Sequence, residues 1–122
     1  LTAEAASTVT FPALMGPQMA NWVLLSSEWL DAQTCKAYGL AFEVVADAEL
    51  LARTTGQAQV LAAKPLASLI TTKEMLMAPR RGALREASEI ETAGLDSLMG
   101  GPANQEAITA FKERREPDFA KF

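Results

Sequence analysis

A mainly α fold is predicted by three features of the sequence. Apolar residues recur at three- and four-residue spacing, prolines and glycines cut the chain into helix-length segments, and capping residues stand at several of the cuts. Phe42, Val44 and Val45 give the one strand signal, and it is short.

The elements follow in order. Thr2 is placed to cap a first helix over residues 2–11, ended near residues 12–16 by Pro12 and Gly16. Pro17 fits the first turn of a second helix with Ala20, Val23 and Leu24 on one stripe. Asp31 as N-cap and Gly39 as the residue past the end bracket a brief helix over residues 32–38. A helix over residues 47–63 places Leu50, Leu51, Thr54, Ala58 and Leu61 on one face, although Gly56 weakens it. Pro65 opens the next, with Leu66, Leu69, Ile70, Lys73 and Leu76 at helical spacing, and Pro79 breaks it. A long helix over residues 80–99 stops at Gly100 and Gly101, and Pro102 starts the last.

Composition narrows the function classes. At 122 residues the chain suits one domain. Eleven basic against fifteen acidic side chains leave a net charge of −4, which argues against a nucleic-acid binder. There is no histidine, so imidazole acid/base chemistry, His-based triads and His–metal sites are excluded within the sequence. Cys35 stands alone, which excludes an internal disulfide or a Cys-cluster metal site and fits a reducing compartment. No apolar run reaches a membrane span, and no basic leader opens the sequence. A soluble cytoplasmic protein is expected, or a peroxisomal or mitochondrial one in a eukaryote. Charge is uneven. Residues 1–50 carry Lys36 against six acids, whereas residues 51–122 mix ten basic and nine acidic side chains, as on solvated helices.

Four segments carry a family resemblance. LTAEAASTVTFPALMG at residues 1–16 resembles a stretch in the middle of crotonase-superfamily proteins, the enoyl-CoA hydratases and isomerases. LLSSEWLDAQTCKAYGLAFEVV (residues 24–45), KPLASLITTKEML (64–76) and AITAFKERREPDF (107–119) continue the likeness in order. The resemblance implies the C-terminal helical half of a crotonase-type α/β spiral fold. Residues 1–46 would end the spiral core, and residues 47–122 would form a C-terminal helical trimerisation region. The implied partners are an acyl-CoA thioester as substrate, with no further cofactor. A homotrimer, or a dimer of trimers, and the N-terminal half of the same fold complete the set.

Glu4 is the sharpest candidate for chemistry. From the residues alone it reads as a first-turn carboxylate favoured by the helix dipole, worth about 0.3–1 kcal/mol. The resemblance implies more, because in the enoyl-CoA delta isomerase branch an acid at this place in the motif is the catalytic base. Apolar neighbours such as Val9 and Phe11 are expected to raise its pKa into a useful range. Phe111, Lys112 and Arg114 form a second group. By pattern they belong to an amphipathic last helix with a solvated basic end, Phe111 sharing a stripe with Ala107 and Ile108. By resemblance, Phe111 and Arg114 meet the adenine and phosphates of CoA, with Lys112 nearby. Trp22 and Trp29 read as core or interface aromatics, and Cys35 as an inert small hydrophobe. Two other readings stay open. One is a non-catalytic crotonase-like module for CoA binding or oligomerisation, and the other is an unrelated helical interaction domain. The crotonase reading predicts exposed apolar surface and self-association, the unrelated domain a stable monomer.

Overall fold

The computed structural model describes residues 2–122. Its helices are α1 (Ser7–Met15), α2 (Pro17–Ser26), α3 (Ala32–Ala37), α4 (Asp47–Ala62), α5 (Leu66–Met77), α6 (Arg81–Leu98) and α7 (Pro102–Glu113). Single 3-10 turns at Ala78–Arg80 and Phe119–Lys121 join α5 to α6 and close the chain. The mainly α expectation therefore holds.

Local chemistry explains most boundaries. Pro17 and Pro102 stand at the first positions of α2 and α7, where a missing N–H costs no helical bond. The Asp31 carboxylate accepts the Thr34 N–H at 2.7 Å and so caps α3. Gly39 follows at φ 78°, a left-handed conformation in which an L side chain is strained. Asp47 and Glu49 lie in the first turn of α4, where the helix dipole favours acids.

Two expectations are corrected. Residues 42–45 do not form a strand; the segment between α3 and α4 is irregular. A strand needs a paired neighbour, and no described residues supply one. Instead, Glu43 accepts Nε and Nη2 of Arg53 at 2.8 and 3.0 Å and Nε2 of Gln57 at 3.1 Å, which ties this segment to α4. The first helix starts at Ser7 rather than beside Thr2, because Ala5 and Ala6 turn left-handed at φ 59° and 57°. Its end falls within the expected residues 12–16: Pro12 lies inside α1, and the break comes at Gly16 with φ 81°.

Packing centres on α1, which lies against α2 and α6. The buried apolar residues are Ala6, Ala20, Val23, Ala87 and Ala110, so close approach of small residues makes the core. The α2 stripe is as expected, with Ala20 inaccessible, Val23 buried and Leu24 half-buried. The bulky apolar side chains lie outside. Trp29 is 100% exposed, Phe42 87% and Leu25 86%, and neither α4 nor α5 buries a residue. Trp22 and Trp29 are thus surface aromatics, not core ones. No helix among the described residues is long and apolar enough to cross a membrane.

Candidate active site

The candidate site grows from the turn that precedes α1. Residues 4–6 reverse the chain before the helix, and the Glu4 carbonyl accepts the Ser7 N–H at 3.1 Å. Two consecutive alanines in the left-handed region cost about 1–2 kcal/mol each relative to ordinary backbone. Such strain persists only where surrounding contacts over-determine it.

Those contacts come from α6. The Glu91 side chain reaches across and accepts the Ala6 N–H at 2.6 Å, the Thr8 N–H at 2.9 Å and the Thr8 hydroxyl at 2.6 Å. Ala6, the N-cap of α1, has no capping side chain of its own. Glu91 therefore caps α1 from another helix. It is buried, at 6% exposure, between Ala87 and Gly94 along α6. Burial pushes its carboxyl up, but the hydroxyl and N–H of Thr8 and the N–H of Ala6 outweigh this and hold it below the ordinary value. Gly94 faces Thr2 one turn further on, where a Cβ would stand 3.7 Å from the threonine methyl.

Held in this way, the turn places Glu4 at a cleft of about 370 Å³ between the N-terminal segment, α1 and α2. Phe11, Val23 and Leu24 give the cleft its apolar wall, and Thr2, Ser7 and Ser27 join Glu4 as its polar residues. The Ser7 hydroxyl is buried and has no hydrogen-bond partner among the described residues. Phe11 is where the sequence placed it, but Val9 is not among the lining residues. Glu4 itself is exposed, so the described residues do not enclose its carboxyl in the apolar surroundings expected.

The second predicted group lies at the end of α7. Phe111 is 85% exposed and Ile108 46% exposed, so the buried stripe runs through Ala110 and half-buried Ala107 rather than through Phe111. Arg114 ends the helix in the left-handed region at φ 55°. Neither Lys112 nor Arg114 makes an ion pair with another described residue. Arg115, outside the predicted set, binds both carboxylate oxygens of Glu106 at 2.6 and 3.2 Å and Glu113 at 2.7 Å. The Arg115 guanidinium and the Asp118 N–H hold the Glu106 carboxyl at about 2. This clamp fixes the tail and leaves Phe111, Lys112 and Arg114 facing out. No residue of α7 lines the Glu4 cleft, so the two groups are separate.

Glu91 and Glu106 are the residues that sequence reasoning missed. A signal for Glu91 existed, since a carboxylate between Ala87 and Gly94 at four- and three-residue spacing breaks a stripe of small residues.

The family model described as enoyl-CoA hydratase/isomerase matches residues 1–121. Among solved structures, an enoyl-CoA hydratase/isomerase from Pseudoalteromonas atlantica T6c superposes with a TM-score of 0.87 at 26% identity, over 98% of this chain and 48% of its own. The protein assigned as an enoyl-CoA hydratase/carnithine racemase in Magnetospirillum magneticum AMB-1 gives 0.60 at 35% identity, over 98% and 47%. DspI from Pseudomonas aeruginosa gives 0.58 at 26%, over 94% and 44%. The chain thus spans about half the length of these structures. No curated protein matches it.

Proposed function

Because the chain belongs to the enoyl-CoA hydratase/isomerase family, we propose that it carries the acid/base carboxylate of an enzyme that shifts a double bond in an acyl-CoA thioester. The observation that carries this reading is Glu4 on a held turn, at the mouth of a cleft walled by Phe11, Val23 and Leu24. In a 3-enoyl thioester the carbonyl acidifies C2. Glu4 takes the C2 proton, the electron pair spreads over the dienolate to the thioester oxygen, and the same carboxyl returns the proton at C4. The double bond moves from the 3,4 to the 2,3 position with no change in oxidation state. The enolate oxygen requires backbone N–H donors, commonly the larger catalytic contribution, and these belong to the N-terminal half of the fold. Hydration asks more of one acid, since water must be activated while a second proton is placed.

In this reading Phe111 and Arg114 meet the adenine and phosphates of CoA, with Lys112 adding charge. The exposure of Phe111 and the lack of ion pairs at Lys112 and Arg114 among the described residues support it. Residues 1–46 close the spiral core, and residues 47–122 build a homotrimer or a dimer of trimers. The bare apolar faces of α4 and α5 support that assembly, and they equally favour the second reading, a non-catalytic module for CoA binding or oligomerisation.

Glu4→Gln in the full protein decides between them. The expected result is loss of 3-enoyl-CoA isomerisation with acyl-CoA binding retained; unchanged turnover would sink the reading.

A further inference from the structure

We propose that Glu91 is a positioning residue for Glu4, and that α6 sets the placement of the acid/base group through the turn at residues 4–6. The inference rests on the reading of Glu4 as that group. Three observations carry it. The Glu91 carboxylate is buried and spends its accepting capacity on Ala6 and Thr8, the residues that flank Ser7 at the start of α1. Ala5 and Ala6 both hold positive φ, a conformation an alanine leaves unless it is restrained. Glu4 precedes these alanines directly, so any relaxation of the pair toward ordinary φ swings its Cα and carboxyl away from the cleft.

Helix propensity does not explain a carboxylate here. Position 91 is a buried, mid-helix site between small residues, where an alanine packs without desolvating a charge. The charge is used instead to accept three donors that face one point. Two backbone N–H groups and a hydroxyl fix the position and the direction of the turn more closely than apolar packing does. A glutamine cannot replace it, because its single carbonyl oxygen faces three donors while its amide brings two more.

The test uses the full protein, with 3-hexenoyl-CoA as probe. Glu91→Gln is expected to lower kcat tenfold or more with KM within about twofold, while the oligomeric state is kept. The amides of Ala6 and Thr8 are expected to exchange hydrogen faster. Should Glu91→Gln not fold, the Thr8 pair decides. Thr8→Val removes one of the three bonds and lowers kcat in part, and Thr8→Ser, which keeps the hydroxyl, recovers what valine loses. Unchanged kcat and unchanged exchange in Glu91→Gln and Thr8→Val overturn the proposal. So does a loss of kcat that only follows the loss of folded protein and that serine does not recover. If the wild-type protein does not isomerise the probe, the reading of Glu4 falls, and the exchange measurement alone decides whether Glu91 holds the turn: faster exchange upholds this, and unchanged exchange overturns it.

Discussion

Glu91 and Ala6 stand 85 positions apart in the sequence, yet the carboxylate of one holds the backbone N–H of the other at 2.6 Å. This bond joins the second-half helix α6 to the first turn of α1, next to the candidate acid/base group. It makes the strained start of α1 a property of the whole fold rather than of the local sequence.

The same bond makes stability depend on acidity. The Glu91 carboxyl is held below its ordinary value of 4.5, so its contribution is complete above that value and is lost as pH falls through the lower folded value. Denaturation of wild type and Glu91→Gln in parallel checks this. The stability gap between them is expected to be constant near neutrality and to shrink below about pH 4.5. A gap unchanged to about pH 3 contradicts it.

Ala5→Gly should stabilise the chain. Ala5 is exposed and sits at φ 59°, so glycine removes strain while losing little packing. After the entropy that glycine costs, the expected gain is about 0.5–1 kcal/mol, read from thermal or denaturant unfolding. A destabilised variant would mean that the Ala5 methyl group has a packing role.

Gly94→Ala tests how closely α6 approaches the N-terminal segment. The added methyl would meet Thr2 at an ordinary contact distance of 3.7 Å, and alanine suits a helix interior better than glycine. A gain of about 0.5–1 kcal/mol is expected. A loss would show that the two segments lie closer than this.

At the end of α7, Phe111→Ala should raise KM for an acyl-CoA more than it lowers kcat. Losing one stacking contact of about 1 kcal/mol corresponds to roughly fivefold. Arg114→Met should weaken binding most at low salt, since a phosphate contact is screened by ions. If neither variant changes KM, CoA is held elsewhere.

The Glu106–Arg115 clamp gives a local prediction. Arg115→Lys keeps the charge but loses the fork that spans both carboxylate oxygens. The amides of Asp118 and Ala120 should exchange faster, with little change in the global unfolding midpoint. Unaltered exchange would show that the tail is held by other contacts.

What the sequence disclosed was the part written locally. The Asp31 cap, the prolines opening α2 and α7 and the positive φ of Gly39 each depend on residues within one turn. Phe42, Val44 and Val45 have strand-forming side chains, but pairing is a matter of neighbours, and the irregular segment instead turns Glu43 toward Arg53. The core alternative for Trp22 and Trp29 fails for a similar reason, since an apolar pattern specifies a face and not what covers it. Glu4 and Phe11 were found by motif and do share a cleft. The stripe of small residues marks Glu91 as unusual but hides its role, because a capping residue is sought beside its helix and this one arrives from α6.

A core built from alanine has a calorimetric consequence. With Ala6, Ala20, Ala87 and Ala110 as most of the buried apolar residues, unfolding uncovers little new hydrocarbon to water. The heat-capacity increment and the denaturant slope both scale with that area, so both fall below the usual ~12–15 cal/mol/K per residue and its counterpart in urea. The isolated chain is therefore expected to melt broadly, along a shallow stability curve. Covering α4 and α5 adds the missing area, and the transition sharpens in proportion to what is covered.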